Sequence, residues 1–116
     1  MGRGRRRIAA SPQVRRAAKI DANQTAIVEA LRAAGATVQS LATVGGGVPD
    51  LVVGFRGRTW LLEVKTPRGK RDPKPAPTTA EQDRWFAVWR GDPVRIVTSA
   101  TQALEIIGAK TVEEPH

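Results

Sequence analysis

The chain contains no cysteine and no tyrosine. Without cysteine it can form no disulfide and no thiolate zinc centre, and the redox state of its compartment has no bearing on its fold. Its one histidine, His116, stands alone at the end of the chain, so neither a zinc site nor a histidine base is supported. No apolar run approaches the ~20 residues needed to span a bilayer. No hydrophobic stretch follows the basic start, so no secretory signal is expected and a cytoplasmic protein is the default. The glycines at 45–47 are not followed by Gly-Lys-Ser/Thr, which excludes a nucleotide-cradling loop and leaves no nucleotide cofactor to expect. No internal repeat is present. Acids are absent from residues 1–20.

What is present is positive charge. The 116 residues carry a net charge of +8 and an isoelectric point near 11.3, which points to a polyanionic partner, most simply a nucleic acid. A chain of this length makes one small domain with a single modest core. Arg3, Arg5, Arg6, Arg7, Arg15, Arg16 and Lys19 crowd residues 1–20. Such a block repels itself and is expected to be a disordered or loosely helical arm. A second cluster, TPRGKRDPKPAP at 66–77, holds Arg68, Lys70, Arg71 and Lys74. Its prolines exclude a regular helix or central strand, so an exposed loop suited to contacting phosphates is expected, a solvated linker being the plainer reading.

Between these clusters the periodicity predicts α-β-β-β-α-β-α. Gln24, Ile27, Val28 and Leu31 share one face of a helix running from Asp21 to near Gly35. Strands are predicted at 36–43, 50–55 and 58–65, with Arg56-Gly57 turning the last two. Thr79 and Gln82 have capping-box spacing and open a helix to about Arg90. Its stripe of Trp85, Phe86 and Trp89 reads as core. A fourth strand at 93–98 and a helix from about Ala100, stopped by Gly108, complete the domain; 109–116 reads as a frayed tail. Glu29 and Arg32 read as a solvent-side ion pair.

The chemistry lies in residues 49–65, PDLVVGFRGRTWLLEVK. Alternate side chains of a strand share a face, so Glu63 and Lys65 point one way with Leu61 and Thr59, and Val64 points the other with Leu62 and Trp60. Asp50 lies on the neighbouring strand. Two converging carboxylates beside a lysine suit a hard divalent cation and a polyanionic substrate. Taken singly, Asp50 reads equally as a strand-start acid and Lys65 as an ion-pair partner.

This pattern resembles the PD-(D/E)xK nuclease signature, as Pro49-Asp50 with Glu63-Val64-Lys65. The segments IVEALRAAGA (27–36), GGGVPDLVVG (45–54), LLEVK (61–65) and TAEQDRWF (79–86), with the terminal VRIVTSATQALEII, narrow the resemblance to the VRR-NUC (virus-type replication-repair nuclease) family and its short stand-alone phage and bacterial members. It covers about residues 20–108. The resemblance implies an α/β restriction-endonuclease-like core with a mixed sheet flanked by helices. It further implies a Mg²⁺-dependent DNA endonuclease, with Mn²⁺ able to substitute. Asp50, Glu63 and the Val64 carbonyl would hold the cation, and Lys65 would serve the attacking water and the phosphate. Gln82 matches a family glutamine that faces the active site, a role compatible with capping. Many relatives carry glutamate where this chain has Gln24, which leaves that residue either in the metal shell or in an Asp21–Gln24 capping box. Likeness to Holliday-junction resolvases implies a homodimer acting on branched DNA in replication, recombination or repair. The alternatives are a less selective nickase or flap nuclease and a catalytically weak DNA-binding accessory protein.

Overall fold

The computed structural model describes residues 12–109. Arg5, Arg6 and Arg7, and the tail from residue 110, lie outside the described residues. The first helix, α1, spans Pro12–Ala33 and so starts well before Asp21. Proline is favoured at a first helical position, and the Ala-, Arg- and Gln-rich sequence after it has high intrinsic helix propensity. The arm expected over residues 1–20 therefore gives up its second half to the helix, and Arg15, Arg16 and Lys19 lie within α1. Because the helix runs through Asp21, the capping box considered for Asp21 and Gln24 does not exist.

Three strands follow: β1 (Thr37–Ser40), β2 (Leu51–Phe55) and β3 (Arg58–Val64). β1 is shorter than the expected 36–43, and the chain leaves it in turns before the glycines. The β2–β3 hairpin turns on Arg56 (φ 51°) and Gly57 (φ 80°), the paired positive φ values of a tight hairpin turn. The basic segment is not a plain loop. It folds back on itself as a minimal antiparallel pair, β4 (Pro67–Arg68) and β5 (Lys74–Pro75), standing outside the main sheet as its prolines require. Next come α2 (Ala80–Val88), β6 (Arg95–Val97) and α3 (Ala100–Ile107). Gly108, at φ 81°, ends α3 in the left-handed region, as expected of a C-terminal glycine stop.

The main sheet has the order β1-β2-β3-β6, antiparallel except for the parallel β3–β6 pair. This is the predicted mixed α/β architecture. Ile27 and Leu31 of α1, Leu51 and Val53 of β2, Trp60, Leu62 and Val64 of β3, and Ala103, Leu104 and Ile107 of α3 form one buried core. Each fully buried aliphatic side chain contributes about 1.5–3 kcal/mol. α2 behaves differently. It has no buried residue, and Trp85 and Phe86 are half-buried while Trp89 is exposed. The reading of these aromatics as core is wrong: their helical spacing gives an apolar stripe but does not say what covers it. They pack on one another instead, Trp85 stacked on Trp89 with centroids 5.0 Å apart and Phe86 edge-on to Trp85. The Glu29–Arg32 pair does not form either; Arg32 donates to the Val38 carbonyl at 3.0 Å and ties α1 to β1. No helix among the described residues is long and apolar enough to cross a membrane.

Candidate active site

β3 carries two different faces because its side chains alternate. Trp60, Leu62 and Val64 enter the core, while Glu63 and Lys65 face the opposite side with Asp50 from the start of β2. The register that pairs Leu51 with Leu62 sets Asp50 beside the end of β3, where its Oδ2 accepts from the Val64 N–H at 2.8 Å. That bond fixes the aspartate against the strand bearing Glu63. The Asp50 backbone is anchored from the other side, its carbonyl accepting from Leu41 N at 2.8 Å.

α2 supplies the other wall. Thr79 caps it and the capping box with Gln82 is complete, as its sequence spacing predicts. The Gln82 amide does more than cap: Nε2 donates to Glu63 Oε2 at 2.6 Å and Oε1 accepts from Lys65 Nζ at 2.8 Å. Lys65 Nζ itself stands 3.5 Å from Glu63 Oε2. One side chain thus caps α2 and bonds both Glu63 and Lys65. The first turn of α2 can lie this close because of Gly47. At φ 85° it follows two further positive-φ glycines, and a Cβ there would run into the Glu81 carbonyl. Of the glycine run, excluded from nucleotide binding by sequence, Gly47 is the residue that meets the helix bringing Gln82, whereas Gly45 and Gly46 face open space.

The resulting cleft has a volume of about 620 Å³ and is walled by Asp50, Glu63, Lys65, Thr66, Arg68 and Gln82, among others. Glu63 is only 2% exposed, and its Oε1 has no hydrogen-bond partner. Burial, and after it the negative Asp50 alongside, pushes the Glu63 carboxyl up to about 7 against the opposing pull of Lys65 and Gln82. Burial likewise raises the Asp50 carboxyl, with the Val64 N–H and Lys65 acting the other way. Two acids held together, both resisting ionisation, with one carboxylate oxygen unpaired, form an acceptor set that a hard cation satisfies. Among the described residues no cluster of three or more His, Cys, Asp or Glu exists; the acids that line the cleft are Asp50 and Glu63.

Not every candidate converges here. Gln24 is half-buried and lines a separate depression with Thr25, Val28, Glu29, Arg32 and Ser40, residues that take no part in the cleft. Its neighbour Asn23, which sequence reasoning passed over, is the one that reaches the end of the sheet. Asn23 Nδ2 donates to the Lys65 carbonyl at 3.2 Å and the Thr98 carbonyl at 3.3 Å. Asn23 stands four residues before Ile27 on the same face of α1, and that spacing is the signal that could have singled it out. Of the basic residues, Arg68 lines the cleft, Lys70 and Arg71 are exposed in the β4–β5 hairpin, and Lys74 pairs with Asp72 at 3.0 Å.

A solved structure described as a VRR_NUC domain is similar to this chain in fold and in sequence. It is 33% identical, covers 78% of this chain and 95% of its own length, and superposes with a TM-score of 0.51. The chain belongs to the VRR_NUC family. Membership supports a nuclease of the PD-(D/E)xK type, on the restriction-endonuclease-like fold described above. No protein-family model and no curated protein matches the chain.

Proposed function

We propose that this VRR_NUC protein is a Mg²⁺-dependent DNA endonuclease that hydrolyses phosphodiester bonds in branched DNA. The observation that carries the reading is the convergence of Asp50, Glu63 and Lys65 in one cleft, with Glu63 Oε1 buried and unpartnered. Asp50, Glu63 and the Val64 carbonyl would hold the cation, and Mn²⁺ would substitute for Mg²⁺. The ion would supply charge neutralisation and a more acidic water.

The chain's own residues divide the remaining work. Lys65 orients or deprotonates the attacking water and offsets charge developing on the phosphate, the kind of electrostatic contribution that is usually the largest in catalysis. Gln82 holds Lys65 and Glu63 in register from opposite ends of its amide. Arg68, Lys70 and Arg71 contact backbone phosphates, as does the basic N-terminal stretch with Arg5, Arg6, Arg7, Arg15 and Arg16. Such contacts position DNA without reading its sequence. A cytoplasmic site of action accompanies this role.

One site per small domain suits a homodimer, because symmetrical cutting of a four-way junction needs two sites related by a two-fold axis. The uncovered stripe of α2 supports such an interface: Trp89 and Val88 are 40% and 67% exposed, and exposed apolar patches mark contact surfaces. A second reading, a DNA-binding accessory protein with feeble catalysis, is favoured only by the absence, among the described residues, of a third acid grouped with Asp50 and Glu63 and by the placing of Gln24 in another depression.

Cleavage of supercoiled plasmid and of a synthetic four-way junction, with Mg²⁺ or with EDTA, tests the proposal. Metal-dependent cutting that favours the junction supports it. Tight binding of DNA without cleavage under any metal would instead favour the accessory role. Cutting of plasmid and junction at equal rates would point to the less selective nickase.

A further inference from the structure

The stripe of α2 that brings Gln82 into the cleft continues beyond it. Trp85, Phe86 and Trp89 follow Gln82 at three, four and seven residues, so all four lie on one side of the helix. Gln82, Trp85 and Phe86 are half-buried, while Trp89, the C-cap of α2, is 40% exposed. Two helical turns separate Gln82 from Trp89, about 10 Å along the axis. That is roughly three base steps of a DNA strand.

Trp89 is exposed but held in place. Its indole N–H donates to the Asp92 carbonyl at 2.7 Å. Its ring stacks on Trp85, with centroids 5.0 Å apart and planes 17° from parallel. Gly91 lies against the edge formed by Nε1, Cε2 and Cζ2, where a Cβ would come within 2.6 Å of Cζ2. The stack takes one face of the indole, and Gly91 and Asp92 take one edge. What the ring offers to solvent is an apolar π surface of set orientation, its only polar atom already bonded. Arg90 and Asp92, the charged residues nearest to it in sequence, are both exposed and opposite in sign, so local charge selects no partner. A planar, uncharged surface suits a planar, uncharged ring, and every nucleobase presents one.

We propose that Trp89 is a stacking platform for an unpaired or branch-point base of the DNA whose phosphate occupies the cleft. The inference rests on the nuclease reading and names what its preference for branched DNA would recognise. Bases inside a continuous duplex are stacked on one another and must be unstacked at a cost before a side chain can cover them, whereas a branch point exposes them. A second copy of the chain is the competing occupant. Val88 projects about 100° round the helix from Trp89 and is 67% exposed, so a subunit contact centred on Val88 does not require the indole face. The stripe that Trp89 shares with Gln82 favours the base.

Trp89→Leu and Trp89→Phe test it in the full chain, by equilibrium binding in EDTA to a four-way junction and to an unbranched duplex of the same sequence. Both substitutions remove the bond to Asp92, and only phenylalanine keeps an aromatic face. Trp89→Leu should lose about five- to a hundredfold in junction affinity, the range for one base–aromatic stack, with duplex affinity unchanged. Its slope of log binding constant against log salt should equal that of wild type, because no phosphate contact is lost. Trp89→Phe should stay within about threefold of wild type, since it keeps a stacking surface. Equal losses in the two variants would make the indole structural, and an undiminished junction affinity in Trp89→Leu would leave it without a role. A wild-type dimer that Trp89→Leu dissociates in light scattering would assign the ring to the subunit contact; each overturns the platform. Wild type whose junction binding depends on Trp89 in this way, but which cuts no DNA with Mg²⁺, removes the nuclease reading alone. Wild type that cuts, beside a Trp89→Leu protein that binds the junction as tightly, removes the platform alone.

Discussion

The two faces of β3 are built on opposite terms. Towards α1 and α3 the strand presents Trp60, Leu62 and Val64, all buried among aliphatic neighbours. Towards α2 it presents Glu63 and Lys65, in a wall with an unpartnered carboxylate oxygen, two acids raised by burial, and a helix with no fully buried residue. One strand thus separates a face that stabilises the protein from a face that burdens it. Local strain and unsatisfied groups concentrate where function requires them, and the contrast assigns different consequences to adjacent residues.

The largest effects should come from exchanging neighbours across that divide. Leu62→Ala opens a cavity in the core and should lower stability by about 2–5 kcal/mol in urea unfolding, with activity falling only as far as the fold does. Glu63→Gln, one position on, should abolish metal-dependent cleavage. It should also leave the metal-free protein at pH 8 at least as stable as wild type, because it removes a charge that burial disfavours. A Glu63→Gln protein markedly less stable at pH 8 would mean that the carboxylate supports the fold.

The pH dependence of stability sharpens the same point. The folded Glu63 carboxyl lies near 7, above its ordinary value of 4.5, so the folded state holds this proton more tightly than the unfolded chain does. Its stabilising contribution is complete below about pH 4.5 and is lost as pH rises to about 7. Asp50 acts in the same direction. Metal-free protein should therefore melt progressively lower across this window, and Glu63→Gln should flatten the trend. A melting temperature that rises from pH 4.5 to 7 and is unaffected by the substitution would contradict the raised carboxyl.

Much of this was legible in the chain, for identifiable reasons. The alternation in RTWLLEVK fixes which β3 residues share a face, and the Thr79–Gln82 spacing fixes the cap of α2. Those are local properties, and local sequence carries them. The start of α1 was misplaced because its first turns lack the apolar stripe used to locate helices; propensity and Pro12 set it instead. The aromatics of α2 were misassigned because periodicity reports an apolar face and not its cover. Asn23 was missed because its place on the Ile27 face does not report its hydrogen bonds to the Lys65 and Thr98 carbonyls, at the ends of strands distant in sequence. Gly47 belongs in the same class, since its importance comes from the approach of the Glu81 backbone across the fold.

Gly47 joins the two regions and yields a smaller, specific effect. Gly47→Ala should push the first turn of α2 outward and loosen Gln82 from Glu63 and Lys65. Cleavage should fall at least tenfold, while the core on the other side of the sheet keeps near-UV circular dichroism close to that of wild type. Unchanged cleavage would show that the glycine loop does not set the position of Gln82. The smallest effect belongs to the exposed hairpin. Replacing Lys70 and Arg71 together with alanine should reduce the slope of log binding constant against log salt by about 0.9 for each duplex phosphate the two side chains neutralise. A slope equal to that of wild type would place the hairpin off the DNA.

The most direct measurement is the Mg²⁺-dependent cleavage rate of Asp50→Asn beside wild type, with folding of both checked by circular dichroism. Asp50 lies half-buried at the edge between the two regions, its Oδ2 on the Val64 N–H, so an amide can keep that bond while weakening the acceptor set for the cation. The expected result is a folded protein with no detectable cutting at any Mg²⁺ concentration that supports the wild type. A folded Asp50→Asn that cuts at the wild-type rate would show that the cleft formed by Asp50, Glu63 and Lys65 is not the active site.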